Sequence, residues 1–356
     1  LNILIRATNW IGDSVMSLPA LRAVRGRFPA ARITVLARPW VAALYEGERS
    51  IDRVMLLEGA AGARDWAAKW RLARRLRREH FDLAILFPNS FESAAVVRLA
   101  GVKRIGGYAR DGRGWLLSNP VTPPRKGEIP PHERFYYLEL LRRAGLIESL
   151  PEVPAILLDG IPEARLRGEA LFQAFGVKLP VVGVSPGAAY GAAKRWLPER
   201  FGESAARLAT GIGGSVAVFG SAAEMAMCEE VARIAGGRNF AGATALRAFI
   251  DMTAACRVFL TNDSGAMHIA SALGVPSVTV FGPTDEIATG PLGPAARVVR
   301  EPVDCAPCLL RECPIDHRCM TRITSSHVVL AAEELLRGDR SGHDRPGSHS
   351  LAPPCC

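Results

Sequence analysis

The feature that most constrains this chain is a repeated unit, a short unbroken apolar run followed by a stretch with helical spacing. The first instance is "NILIRATNWIGDSVMSLPALRAV". Runs at 3–7, 33–37, 53–57 and 83–87 are predominantly apolar without alternation, and helical patterns fall at about 14–27, 65–79 and 90–100. A strand apolar at every position is buried on both faces. In alternation with helices this predicts an α/β fold built on a parallel sheet covered on both sides. After irregular text at 120–133 and a helix at about 134–145, the stretch "LIESLPEVPAILLDGIP" carries prolines and one short strand and reads as a linker. A second series then begins. Strands are expected at 181–185, 215–219, 257–262 and 277–281, with helices near 198–210, 222–235, 245–255 and 265–273. The expected division is an N-terminal Rossmann-like domain over 1–160, a C-terminal one over 161–337, and a disordered tail over 338–356. Two such domains face each other across a cleft at the carboxyl ends of their strands.

Bulk properties narrow the function. With 356 residues, 49% hydrophobic and 22% charged, the composition is that of a globular protein large enough for two domains. No apolar run reaches the roughly 18–20 residues of a membrane span, and the N-terminal text lacks the form of a signal peptide. A cytoplasmic location is expected. A net charge of +9 favours anionic partners.

The chemistry-bearing residues lie at the ends of expected strands. In "TNDSGAMH", Asp263 or Ser264 can cap a helix, Gly265 lets a ligand approach the backbone, and the first-turn amides suit a phosphate. His268 follows Ser264 by four residues and can face the same ligand. In "SPGAAYGAAKRW", Lys194 stands on a loop where a cation can stabilise a leaving phosphate; a solvated Lys-Arg pair is the alternative. Glu224, after the strand in "VAVFGSAAE", can accept from ribose hydroxyls or be an ordinary first-turn acid. Asp13, in the polar loop after the first strand, is either a helix cap or a general base. There is no Walker loop, no GxGxxG after a first strand, and no Asp-x-Asp pair to grip a diphosphate through a metal.

Together, "NWIGDSVMSLPAL", "SPGAAYGAAKRWLP", "TNDSGAMHIASALGVPSVTVFGPTD" and "CAPCLLRECPIDHRCM" resemble the bacterial heptosyltransferase family of lipopolysaccharide core synthesis, which has the GT-B fold. Within that family the "PGAAYGAAKRW" and cysteine segments are most similar to the members that add the second heptose. The resemblance implies inverting transfer of L-glycero-D-manno-heptose from ADP-heptose to the lipid A-linked core oligosaccharide. It implies that the C-terminal domain holds the donor and the N-terminal domain the acceptor. Asp13 matches the family's base, and Lys194 its basic residue near the donor phosphates. Glu224 falls where a ribose contact is expected, and Asp263, Ser264, Gly265 and His268 match its donor motif. Inverting transfer needs one base for the acceptor hydroxyl and one positive site for the departing ADP, which favours Asp13 as base over cap. No cofactor is expected beyond the donor substrate.

Four further features complete the reading. Cys305, Cys308, Cys313 and Cys319 have the close spacing of a zinc knuckle, although reduced or handling-oxidised cysteines are favoured over a structural zinc. "WAAKWRLARRLRREHF" reads as a basic amphipathic helix whose arginines either attract acceptor anions and an anionic inner-membrane surface or are simply solvated; its tryptophans are expected to serve core or interface packing rather than base stacking. Arg110 and Arg113, in a Gly- and Arg-rich loop, either reach acidic groups or serve a turn. No nucleic-acid signature is present. The rival readings are a first-heptose or other family transferase, a sugar-nucleotide epimerase, and a non-catalytic nucleotide-sugar-binding protein.

Overall fold

The computed structural model describes residues 1–58 and 66–343. The first half runs β1 (Asn2–Arg6), α1 (Ile11–Met16), α2 (Leu18–Arg27), β2 (Arg32–Ala37), α3 (Pro39–Ala42), β3 (Arg53–Leu56), α4 (Trp66–Arg78), β4 (Leu83–Leu86), α5 (Phe91–Leu99), β5 (Arg104–Tyr108), β6 (Asn119–Val121) and α6 (Arg134–Arg143). The second half runs α7 (Ile161–Ala174), β7 (Val181–Ser185), α8 (Pro198–Ile212), β8 (Ser215–Val218), α9 (Met225–Ala235), β9 (Arg238–Asn239), α10 (Leu246–Ala254) and β10 (Val258–Asn262). It continues with α11 (Gly265–Ala272), β11 (Ser277–Val280), α12 (Glu286–Thr289), β12 (Ala296–Val299), α13 (Arg318–Thr321) and α14 (Ser325–His343).

Among the described residues these strands form two six-stranded sheets, ordered β3-β2-β1-β4-β5-β6 and β12-β11-β10-β7-β8-β9, with every pairing parallel. Read from its other edge, the second order repeats the first. In each sheet the chain winds one way from the first strand and then returns to the opposite side of it. The reversal falls between β1 and β4 in one sheet and between β7 and β10 in the other. At such a point the flanking loops diverge and open a crevice at the carboxyl ends of the strands. The central strands earn their place by full burial: β4, β7, β10 and β11 are buried at every position.

Three differences from the sequence reading have physical causes. The expected helix over 14–27 breaks at Ser17, because Pro19 occupies the first turn of a separate helix. β5 was hidden by Gly106 and Gly107, which weaken a strand signal. A Cβ on Gly107 would stand 3.1 Å from Arg113 Nη2, so the glycine makes room for a buried guanidinium. α7 was hidden by Gly168, where a Cβ would stand 1.9 Å from the Asp251 carbonyl oxygen, so α7 lies almost in contact with the α10 backbone.

The linker and tail also need correction. Residues 146–160 contain no strand. Instead Ile156 and Leu158 donate from their backbone to Leu292 O at 2.9 Å and Ala272 O at 2.8 Å, pinning the segment along the second half. The tail expected to be disordered from 338 continues as α14 to His343; residues 344–356 lie outside those described, with Cys355 and Cys356.

Candidate active site

The two crevices meet at the N-termini of α1 and α11. A Cβ on Gly265 would stand 2.8 Å from Ile11 Cβ, and one on Gly12 would stand 2.8 Å from His268 Cδ2. Two glycines thus let the helix starts touch, bringing Asp13 from the first sheet beside the DSG segment of the second. Below α1, Thr8 Oγ1 lies 2.9 Å from Ser14 Oγ, and Ser17 Oγ donates to Ser14 O at 2.9 Å, fixing the loop by buried polar contacts.

Asp13 is not a cap. Trp10 occupies the N-cap position of α1, and Asp13 sits within its first turn. Burial raises its carboxyl above the ordinary aspartate value, opposed by a hydrogen bond from Tyr137 and by the Lys194 ammonium. Facing it, Glu133 is pushed up to about 7 by burial and then by the charge of Asp13, against the pull of Arg110. The cleft therefore holds two carboxyls with elevated proton affinity.

Lys194 donates to Asp263 Oδ2 at 2.5 Å, with side-chain exposures of 12% and 5%, which excludes a solvated surface pair. Thr284 Oγ1 donates to the same oxygen at 2.6 Å. Asp263 is accordingly not a cap; Ser264 holds the N-cap position of α11 without a side-chain hydrogen bond to the helix, its hydroxyl 3.2 Å from Thr261 Oγ1. The first-turn amides of α11 are thus not consumed by a side-chain cap. His268 is buried and pushed down to about 4 by burial, then by His132 and Lys194 against Asp263, so it is a neutral imidazole near neutrality.

Glu224 belongs to the neighbouring loop. Its Oε2 accepts from Ser221 N and Oγ, both at 2.8 Å, forming a capping box. Its carboxylate also abuts Gly187, where a Cβ would stand 2.0 Å from Oε1. The structure therefore gathers Asp13, Lys194, Asp263, Ser264, Gly265 and His268 at one point, with Glu224 one loop away.

Several contributors lacked a sequence signal because they meet the site only through tertiary contacts. Tyr137 and Glu133 flank Asp13 from the start of α6. Asn262 joins two loops, accepting from Trp196 N at 3.0 Å and donating to Pro186 O at 2.6 Å. Tyr190 lies 4.7 Å from Lys194 Nζ and 5.2 Å from the Arg311 guanidinium, measured at its ring centroid, and its hydroxyl donates to Leu309 O at 2.7 Å. His317 Nε2 lies 2.7 Å from Ala193 O. The cysteine segment thus buttresses the Lys194 loop. Cys305 and Cys308 are exposed, Cys313 is half-buried and Cys319 is buried; among the described residues no group of three or more His, Cys, Asp or Glu is placed to hold a metal.

Two other readings are narrowed. Arg113 is wholly buried and donates to Tyr108 O at 2.9 Å and Ser93 Oγ at 2.9 Å, so it props the first sheet. On α4 the inward stripe is Lys69, Leu72, Ala73 and Leu76, while Trp66 and Trp70 are exposed, so of the two roles expected for the tryptophans core packing is excluded.

Comparison with known proteins agrees with this geometry. Residues 69–318 match the family Glycosyltransferase family 9 (heptosyltransferase). Lipopolysaccharide heptosyltransferase 2 of Escherichia coli (strain K12) is 32% identical over 311 residues, covering 84% of this chain and 88% of that protein. Lipooligosaccharide heptosyltransferase 2 of Campylobacter jejuni serotype O:2 is 26% identical over 348 residues, covering 95% and 99%. The structure of E. coli ADP-heptose lipopolysaccharide heptosyltransferase II superposes with a TM-score of 0.79 at 28% identity, over 96% of this chain and all of that one. With paired Rossmann-like sheets meeting at a buried carboxyl and a lysine, the chain belongs to glycosyltransferase family 9, the heptosyltransferases, as a GT-B glycosyltransferase.

Proposed function

We propose that this enzyme transfers L-glycero-D-manno-heptose from ADP-heptose to the heptosyl-Kdo2-lipid A inner core, adding the second heptose. The observation that carries the mechanism is the meeting of Asp13 with Lys194 and Asp263 where two switch-point crevices converge. Residues 1–160 form the acceptor half and 161–337 the donor half. In the donor half the diphosphate lies between Lys194 and the amides opening α11, with Glu224 toward the ribose and neutral His268 holding the α1–α11 junction. Asp13 takes the proton of the acceptor hydroxyl as its oxygen attacks the anomeric carbon from the face opposite the phosphate. The bond from that carbon to the phosphate oxygen breaks, and ADP leaves against the Lys194 ammonium. One displacement with one base inverts the anomeric centre.

The acceptor is lipid-linked, so the enzyme works peripherally at the anionic cytoplasmic face of the inner membrane. Among the described residues no helix is long and apolar enough to cross one. No cofactor is required besides the donor substrate, and no nucleic acid takes part. The test is product mass after incubation with ADP-heptose and either Kdo2-lipid A or its mono-heptosylated form. One heptose gained only by the latter supports the second-heptose assignment. A gain on Kdo2-lipid A alone makes this a first-heptose enzyme, and donor consumption without acceptor makes it an epimerase.

A further inference from the structure

The chain has six tryptophans. Trp196 is wholly buried, whereas Trp10, Trp40, Trp66, Trp70 and Trp115 keep between 53% and 75% of their surface exposed. One exposed indole is ordinary; five in one half of a chain ask for something that covers them.

Topology puts them on one edge. Every strand of the first sheet is parallel, so the loops that follow the strands leave from the same side. Trp10 follows β1, Trp40 lies on α3 after β2, Trp66 and Trp70 open α4 after β3, and Trp115 lies in the turn after β5. Phe91, 41% exposed at the start of α5 after β4, stands 6.1 Å from Trp115 between ring centroids. From β3 to β5 this edge spans about 19 Å at the usual strand spacing, wider than a single stacked sugar needs.

Cations alternate with the rings. The Arg38 guanidinium lies 5.5 Å from the Trp40 ring, Lys69 Nζ 5.1 Å from Trp66, and the Arg74 guanidinium 4.8 Å from Trp70. The segment Trp66–Arg78 carries Lys69, Arg71, Arg74, Arg75, Arg77 and Arg78 and no acidic residue. Its arginines are exposed. Arg38 and Lys69 are themselves buried and each lie 3.9 Å from Glu92, so the solvent-facing pair is Trp70 with Arg74. An exposed indole beside a solvent-facing arginine matches the boundary between anionic headgroups and acyl chains, where the ring is amphipathic and the cation meets phosphate.

We propose that the carboxyl edge of the first sheet, presenting Trp40, Trp70 and Trp115 with Arg71 and Arg74 of α4, docks on a bilayer surface bearing anionic headgroups. This rests on the acceptor being lipid-linked, and it would hold the cleft at the level where the acceptor's sugars emerge.

The test uses the full chain and sedimentable vesicles of phosphatidylethanolamine, alone or mixed with phosphatidylglycerol, with neither donor nor acceptor present. The wild type is expected to sediment with the mixed vesicles, with a blue-shifted tryptophan emission, and far less with the neutral ones. Trp70→Ala with Trp115→Ala should weaken partition by about tenfold or more. Arg71→Gln and Arg74→Gln should each weaken it by about fivefold. Turnover on a water-soluble, delipidated acceptor should stay unchanged in all of them. A wild-type chain that remains in the supernatant overturns the proposal, as does a double tryptophan variant that partitions like wild type. A variant that keeps vesicle binding but raises KM for the soluble acceptor assigns the rings to sugar stacking, and also overturns it. A chain that docks yet transfers no heptose refutes the catalytic reading and leaves this one standing.

Discussion

Asp13→Asn isolates the proposed base. The amide is nearly isosteric and can still accept from Tyr137, and its place in the first turn of α1 requires no side-chain cap. Removing a first-turn acid costs about 0.3–1 kcal/mol of dipole interaction, while removing a carboxylate that burial disfavours returns a comparable amount. Stability should therefore stay within about 1 kcal/mol of wild type by urea unfolding. Loss of a general base lowers kcat by about 10²–10⁴-fold, or roughly 3–5 kcal/mol of transition-state stabilisation. In the proposed arrangement the donor lies against the other half, so its KM should be unchanged. The wild-type kcat should rise with pH along an acid limb displaced above the ordinary aspartate range, because the base must be deprotonated and burial raises its pKa. That limb should vanish from the residual rate of Asp13→Asn. The assay is initial-rate ADP release across pH with saturating acceptor. A variant turning over within a few-fold of wild type, or one that keeps the same acid limb, refutes the assignment.

The remaining predictions concern the groups around it. Lys194→Ala should lower kcat by about 10²–10³-fold, read as ADP release at saturating donor, and should destabilise the chain in urea by about 3 kcal/mol, since the buried Asp263 carboxylate loses its cation. Glu133 gains proton affinity on folding, from an ordinary 4.5 to about 7, so its stabilising contribution is complete below pH 4.5 and lost as pH rises through 7. Glu133→Gln should therefore recover roughly 3 kcal/mol relative to wild type at pH 8 and little at pH 4.5, measured as Tm across pH. Gly191→Ala places a Cβ 2.3 Å from the Arg311 carbonyl oxygen, so the Lys194 loop must leave its buttress. A loss of about 1–3 kcal/mol in thermal unfolding and a raised donor KM are expected. Gly211→Ala on α8, with nothing within 4 Å, should be neutral or stabilising by up to about 1 kcal/mol.

Much of this site could be read along the chain because local chemistry announced it. Unbroken apolar runs ending in polar, glycine-bearing turns placed Asp13, Lys194, Glu224 and the DSG segment at strand ends. The duplicated series of strands and helices gave two parallel sheets. What sequence spacing could not carry was contact between segments far apart in the chain. Asp263, a candidate cap by position, instead binds Lys194 and Thr284, because folding a cation and a carboxylate together out of water requires each to satisfy the other. Tyr137 and Glu133 reach Asp13 only because α6 packs back beside the β1–α1 loop. Arg113 and Arg110 lie three residues apart, yet one became a buried prop and the other faces Tyr136 and Glu133 at the cleft. The α4 tryptophans stayed open between core and interface for the same reason, since helical period defines a stripe but not which stripe faces the core. Sequence by itself determined the alternating elements, the strand-end chemistry and the basic surplus, all of which follow from local hydrophobicity, turn residues and charge. Tertiary structure alone decided that two helix starts touch through Gly12 and Gly265, because that approach depends on the absence of side-chain atoms on both sides of an interface between distant segments.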